Sequence, residues 1–127
     1  MDIDLSLLDQ LEQEHRKVEA IFSRMESATD QSAQRSLVQE LETALAPHMQ
    51  TEESQVYPVL AEVDESMATE AENEHSEARD ALVALKEQIG QPGYRDALET
   101  LKSGIEHHVE EEEGQTFPKL RQSAGSP

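Results

Sequence analysis

The sequence contains no cysteine and no tryptophan, and it has only two phenylalanines and two tyrosines among its 127 residues. The absence of cysteine excludes disulfide bonds, thiolate metal sites, iron–sulfur clusters and cysteine nucleophiles. With so few aromatic side chains, a hydrophobic core must be filled by Leu, Ile, Val, Met and Ala. The chain is long enough for one domain but too short for two independent cores.

Positive charge is also scarce, since 10 Lys and Arg stand against 28 Asp and Glu, for a net charge of −18. A surface this negative repels phosphate backbones and anionic lipids, so we expect neither a nucleic acid nor a membrane as a partner. The N-terminus, Met-Asp-Ile-Asp, has no basic stretch, and no long apolar run follows it. We therefore expect no signal peptide and no membrane span, and a cytoplasmic location.

Glycine and proline are missing from the first 46 residues and are sparse afterwards. The remaining sequence is rich in helix-forming residues, and four helices are predicted over about 6–27, 32–56, 66–89 and 94–113. Each predicted helix has one apolar stripe, and the connections are short. The sequence thus predicts an all-α, up-down-up-down antiparallel four-helix bundle over residues 1–121, followed by a flexible tail over 122–127.

Each of the four apolar stripes includes a histidine: His15, His48, His75 and His108. A single histidine in such a stripe is usually a hydrogen-bonded core residue. Four histidines at one depth, together with carboxylates, would cost a few kcal/mol each without partners, in a domain whose stability is roughly 5–15 kcal/mol. A bound metal would satisfy all of these groups at once.

The two halves of the chain align without a gap at an offset of 60 residues, from His15 to His75 and from His48 to His108. Of four His-x-x-x-Glu motifs, only the two that begin at His48 and His108 are repeated, because His107 corresponds to Pro47 and the Glu of the fourth motif to Arg79. Side chains four residues apart on a helix point the same way. We predict six metal ligands: His15, His48, Glu52, His75, His108 and Glu112.

The donor set indicates the kind of metal. Imidazole and carboxylate without sulfur suit iron or manganese, with zinc or copper as further alternatives. Around two ions, this set provides each ion with two nitrogens and two shared carboxylate oxygens, and leaves an open position for a small ligand. Such a site favours redox chemistry with O2, H2O2 or NO.

Two further residues are candidates for a catalytic role. Tyr57 corresponds to Phe117 in the second half, and its hydroxyl could reach the metal level if Pro58 distorts the helix. His107 adjoins His108 and is predicted to face sideways, as a surface residue or a proton relay.

The remaining features of these segments have structural interpretations. Pro58 and Pro118 are expected to kink or end the second and fourth helices. A solvated helix face is expected for Glu110, Glu111 and Glu113.

The segment Glu14-His15, followed by His48-x-x-x-Glu52-Glu53 and Tyr57-Pro58, resembles the hemerythrin-like (HHE cation-binding) family. The second half repeats the pattern, and the resemblance covers roughly residues 5–121. It implies a four-helix bundle that holds a non-haem di-iron centre with an oxo or hydroxo bridge. The two glutamates would bridge the irons, with one histidine pair, His15 and His48, on the first iron and the other pair, His75 and His108, on the second.

One departure distinguishes the branch of the family. Oxygen-carrying hemerythrins have an additional histidine where this chain has Arg79, so the sequence is similar to the four-histidine, two-glutamate branch. This resemblance implies a protein that binds or processes O2, H2O2 or NO, with catalase-like turnover of peroxide and an unidentified electron donor. The alternative is a non-enzymatic module that senses O2 or NO, or senses or buffers iron. Because one bundle uses up the apolar stripes, a monomer or a weak homodimer is expected.

Overall fold

The computed structural model describes residues 3–124, and this part of the chain is all-α, as predicted. The α-helices are α1 (Leu5–Ser27), α2 (Gln31–Thr51), α3 (Tyr57–Val63), α4 (Glu65–Glu87), α5 (Tyr94–Glu111) and α6 (Phe117–Ala124). A π-helical segment, Glu52–Val56, joins α2 to α3, and a second one, Glu112–Thr116, joins α5 to α6. The described chain therefore has four helical arms, of which the second and fourth are composite, and the predicted four-helix bundle is confirmed.

Acidic residues cap three of the arms. The carboxylates of Asp4, Asp30 and Asp64 each accept a hydrogen bond from a backbone N–H two or three residues further on, at 3.0–3.2 Å. Such caps satisfy N–H groups that have no partner within the helix. Gly90, at a φ of +75°, supplies the left-handed residue of the turn between α4 and α5. These local signals define where the arms begin and turn.

The two prolines do not end the second and fourth helices, which corrects one alternative of the prediction. Pro58 and Pro118 are the second residues of α3 and α6. Each proline lies within a continuous helical arm and has no N–H to donate to the preceding turn. The backbone instead widens just before each proline, where the N–H groups of Tyr57 and Phe117 donate to the carbonyls of Glu52 and Glu112, five residues back.

The hydrophobic core consists of two clusters, with a polar layer between them. Around the bundle, α1 packs against α2 and α5, and α4 packs against α2 and α5. The larger cluster includes Ile21, Phe22, Leu41, Leu85 and Leu101. The smaller one, at the end where the π segments lie, includes Leu8, Leu11, Val56, Leu60, Phe117 and Leu120. The predicted ligands lie between these two apolar clusters.

The C-terminal tail remains a prediction. Helix α6 includes residues 122–124, and residues 125–127 lie outside the described part of the chain. Among the described helices, none combines the length and the apolar character needed to cross a membrane.

Candidate metal centre

The six predicted ligands meet in the polar layer. All six residues are buried, and none is more than 5% exposed. They form two groups of four, and both glutamates belong to both groups. The first group is His15, His48, Glu52 and Glu112, and the second is His75, His108, Glu52 and Glu112. Within each group the nitrogen and oxygen donor atoms lie within 4.8 Å of one another.

The two carboxylate groups are arranged as bridges between the histidine pairs. In the first group, Glu52 Oε2 lies 3.3 Å from His48 Nε2, and Glu112 Oε1 lies 3.1 Å from His15 Nε2. In the second group, the other oxygens take part: Glu52 Oε1 lies 2.9 Å from His75 Nε2, and Glu112 Oε2 lies 3.1 Å from His108 Nε2. Each glutamate thus presents one oxygen to each pair of histidines.

The donor atoms fit a bound cation. His15 Nε2, Glu52 Oε2 and Glu112 Oε1 are buried without a hydrogen-bond partner, and Tyr94 Oη is the one further side-chain atom of this kind within the described residues. Buried polar atoms without partners are rare and costly. A metal lies about 2.0–2.2 Å from nitrogen and oxygen ligands, so neighbouring ligands of one ion are about 3 Å apart. The distances in both groups match that spacing.

The electrostatics of the cluster also favour a cation. Burial by itself lowers the pKa of His15, but the nearby carboxylates of Glu112 and Glu52 outweigh it and raise this pKa to about 10. The pKa of Glu52 is held well below its usual value, because its burial is outweighed by hydrogen bonds from the histidines. In the absence of a metal, a proton on His15 therefore helps to compensate the buried carboxylates. Metal uptake would displace that proton.

Each ligand histidine is also held from its outer side by a carboxylate. His15 Nδ1 donates to Glu113 and His48 Nδ1 donates to Glu14, each at 2.7 Å. His75 Nδ1 donates to Glu53 and His108 Nδ1 donates to Glu74, each at 2.6 Å. Such a partner fixes the tautomer, so that Nε2 is the atom directed at the centre.

These four carboxylates were not identified from the sequence, and the expectation that Glu113 lies on a solvated face was wrong. Glu14 and Glu74 are equivalent in the repeat, and so are Glu53 and Glu113. Since the repeat retains these four positions along with the predicted ligands, a comparison of the two halves could have identified them. Composition concealed them, because glutamate is common throughout the chain.

Three of the four carboxylates have a further N–H donor on the side away from the histidine. Arg79 Nη2 pairs with Glu53 at 2.8 Å, Arg16 pairs with Glu113, and Gln10 Nε2 donates to Glu14 at 3.0 Å. Arg79, which stands where oxygen carriers have an additional histidine, thus contacts the carboxylate behind His75. It is not itself directed at the centre.

Replacing Glu53 by glutamine is expected to weaken metal binding about 10- to 100-fold, since the amide leaves His75 Nδ1 with a weaker acceptor. Glu113→Gln should have a similar effect through His15. The control is Glu110→Gln, which removes an exposed carboxylate from the arm that carries Glu113. Equilibrium metal affinities of the three variants would test this, and equal affinities for Glu53→Gln and Glu110→Gln would contradict it.

Tyr57 reaches the centre. Its hydroxyl donates to Glu112 Oε2 at 2.6 Å and lies 3.2 Å from Glu52 Oε1 and 3.0 Å from His75 Nε2. In a regular α-helix, a residue five positions after Glu52 would lie about 140° around the axis from it. The wider π turn reduces this angle and brings the tyrosine onto the ligand face. Phe117, its repeat equivalent, stacks on His15 with ring centroids 6.0 Å apart.

His107 does not reach the buried donors. Its side chain is 63% exposed, and Nε2 lies 3.0 Å from Glu111 and 3.6 Å from Glu74. Glu74 also contacts His108, so its carboxylate is what connects His107 to the centre. The prediction that His107 faces sideways agrees with this position.

Comparison with known proteins agrees with the geometry in indicating a cation-binding domain. Residues 6–120 match the family described as the hemerythrin HHE cation-binding domain. An uncharacterised hemerythrin-like protein of Schizosaccharomyces pombe is 27% identical over 117 residues, which are 88% of this chain and 58% of that protein. A protein of a Nostoc species, named a DNA nickase, is 25% identical over 125 residues, which are 97% of this chain and 36% of that protein.

The chain therefore spans well under two thirds of the length of these two relatives, and what their names say of activity applies to them. No solved structure gives a significant match. The family match covers nearly the whole chain and includes all six residues of the buried cluster. The chain belongs to the hemerythrin family of HHE cation-binding domains.

Proposed function

We propose that this domain holds two iron ions in the buried cluster and binds or processes a small oxidant, namely O2, H2O2 or NO. The observation that supports this most strongly is the pair of four-donor groups that share both glutamates. His15 and His48 would hold one ion, and His75 and His108 would hold the other. The carboxylates of Glu52 and Glu112 would bridge the two ions.

The choice of iron rests on the chemistry of the donors. Each group offers two imidazole nitrogens and two carboxylate oxygens, a set that suits iron and manganese, and thiolate ligands are excluded because the chain has no cysteine. When bound, a pair of irons supplies electrons to a small oxidant by changing between ferrous and ferric states. Four protein donors to each ion are fewer than the six that these metals accept, so room remains for a small ligand.

The chain's own residues prepare the site for this chemistry. The four outer carboxylates hold the imidazoles in place, and the two apolar clusters keep water away from the polar layer on both sides. Tyr57 holds a proton on Oη at 2.6 Å from Glu112 Oε2. Burial, followed by the negative charges of Glu52 and Glu112, raises the pKa of this hydroxyl above its usual value. Tyr57 thus stays protonated and donates a hydrogen bond at the edge of the centre.

We expect Tyr57→Phe to retain both ions and to lose peroxide turnover by about 100-fold, a usual effect of removing a general acid. The matched control is Tyr94→Phe, since Tyr94 is also buried but lies in the larger apolar cluster and not in the polar layer. Oxygen release from H2O2 by the iron-loaded variants is the measurement. Equal turnover in Tyr57→Phe and wild type would remove the tyrosine from the mechanism.

The proposed function itself is tested by peroxide turnover of the iron-loaded protein against the same concentration of free iron. Turnover well above that of free iron would support oxidant processing. Binding of NO or azide without turnover would support the alternative, a module that senses O2 or NO, or senses or buffers iron. If neither ligand perturbs the bound iron and no turnover occurs, the proposal is wrong.

A further inference from the structure

A second cluster of metal-ligating side chains lies at the surface between α4 and α5. It consists of Glu74 from α4 and of His107 and Glu111 from α5, and their donor atoms lie within 4.8 Å of one another. His107 Nε2 is 3.0 Å from Glu111 Oε1 and 3.6 Å from Glu74 Oε2. Glu74 Oε1 accepts the hydrogen bond from His108 Nδ1, and Glu74 Oε2 is the oxygen that lies beside His107.

The spacing of these donors resembles that of the buried centre. In the buried centre, the His–Glu pairs four residues apart on one helix have nitrogen–oxygen distances of 3.3 Å and 3.1 Å, and the surface pair His107–Glu111 has 3.0 Å. Between helices, His15 lies 3.1 Å and 3.7 Å from the two glutamates, and His107 lies 3.6 Å from Glu74. The motif is also the same, because His107 and Glu111 are four residues apart on one helix and a neighbouring helix supplies another carboxylate. Ligands about 2.0–2.2 Å from one ion have this spacing.

The outer side of Glu74 differs from that of the three comparable carboxylates. Glu14, Glu53 and Glu113 each have a hydrogen-bond donor there, from an amide or a guanidinium group. The distance from Glu74 to His107 is longer than a hydrogen bond, and a further carboxylate, Glu111, lies beside them. A cation between the three side chains would take the place that N–H donors occupy at the other carboxylates.

The first half of the chain provides an internal comparison. A surface cavity of about 310 Å³ beside His48 is lined by Glu14, Pro47 and Thr51 among others. The equivalent cavity on the other hairpin, of about 150 Å³, is lined by Glu74 and His107 among others. Pro47 and Thr51 are the repeat equivalents of His107 and Glu111, so only the second hairpin has the three donors. The bundle does not require His107 and Glu111, and the buried centre does not use them directly.

We propose that Glu74, His107 and Glu111 bind a third divalent transition-metal ion, of the Fe²⁺, Mn²⁺ or Zn²⁺ class, at the surface of the domain. Two carboxylates and a neutral imidazole carry a charge that matches a divalent cation, and the exposure of His107 leaves the other coordination positions to water. The strongly negative chain also draws cations to its surface. Because Glu74 also accepts the hydrogen bond from His108 Nδ1, its side chain would connect the surface ion to the buried centre.

The test is a titration of Zn²⁺ into iron-loaded protein from which loosely bound metal has first been removed with a weak chelator. Metal per chain before the titration reports the buried centre, and calorimetry during the titration reports the surface site. The variants are His107→Gln and Glu111→Gln, which leave the six buried donors and Glu74 in place. Glu110→Gln is the control, because it removes the same charge one residue away from the cluster.

We expect the wild type and Glu110→Gln to bind one more Zn²⁺ than either cluster variant, or to bind it at least tenfold more tightly. If the buried centre holds no iron, Zn²⁺ also enters it, but the difference of one ion between wild type and His107→Gln remains. Failure of the di-iron proposal is thereby distinguished from failure of the surface site. Identical Zn²⁺ titrations of wild type, His107→Gln and Glu111→Gln would overturn the surface site.

Discussion

The Glu52→Gln variant is expected to lose both buried metal ions together, with a fall of at least about tenfold in bound metal per chain. Glu52 is fully buried, and its two oxygens face opposite histidine pairs, Oε2 towards His48 and Oε1 towards His75. Glutamine has nearly the same shape but no charge, and its NH2 group presents hydrogens to one of the pairs. It is therefore unable to bridge two cations. Metal analysis after desalting measures the effect.

The comparison for this variant is Glu53→Gln, which changes the adjacent residue in the same way. Glu53 contacts His75 from the outer side, so that variant should retain both ions with lower affinity. Circular dichroism would show whether the helices of both variants remain intact. Two ions per chain in a folded Glu52→Gln protein would contradict a bridging role for this glutamate.

Removal of metal is expected to lower the unfolding temperature by about 10–20 °C. An ion at a thousandfold excess over its dissociation constant stabilises the folded state by about 4 kcal/mol, and one kcal/mol corresponds to about 3–5 °C in a domain of this size. Without the ion, three buried donors are left without partners. Thermal unfolding with and without a strong chelator measures the difference, and unchanged unfolding would mean that the cluster is stable as an ordinary polar core.

Alanine substitutions of single ligands connect this stability to the site. His48→Ala and His108→Ala should each lower bound iron and reduce the effect of the chelator, because each removes one donor from one group and leaves a buried carboxylate less compensated. Glu110→Ala is the control, since this side chain is exposed and belongs neither to the buried cluster nor to the surface cluster. Metal content and unfolding temperatures equal to wild type in His48→Ala would refute this part of the account.

Much of the fold and the positions of the six ligand candidates could be predicted from the sequence because the signals are local and repeated. The apolar stripes have a helical period, and the offset of 60 residues selects His48 and His108 from among several similar motifs. A repeat compares equivalent positions directly, so it separates residues of the site from the many glutamates of an acidic surface.

What the sequence did not reveal depends on geometry between helices or on one irregular turn. The pairing of Glu113 with His15 joins residues 98 positions apart, and no spacing along one helix predicts it. The sequence predicted that Tyr57 reaches the metal level only on the condition that Pro58 distorts the helix, because the extra residue per turn of the π-helical segment follows no simple composition rule. Pro58 marked the place of the distortion, but the helical arm continues past it, with the proline in the first turn of α3.

The central claim is that two metal ions share Glu52 and Glu112, and iron stoichiometry together with an absorption spectrum tests it most directly. Protein produced in iron-supplemented medium, and treated with a weak chelator to remove loosely bound metal, should contain about two irons per chain and show near-ultraviolet charge-transfer bands of bridged ferric ions. The six predicted donors and their division into two groups lead to this expectation. One ion per chain, zinc alone, or no metal in a protein with intact helices would contradict it.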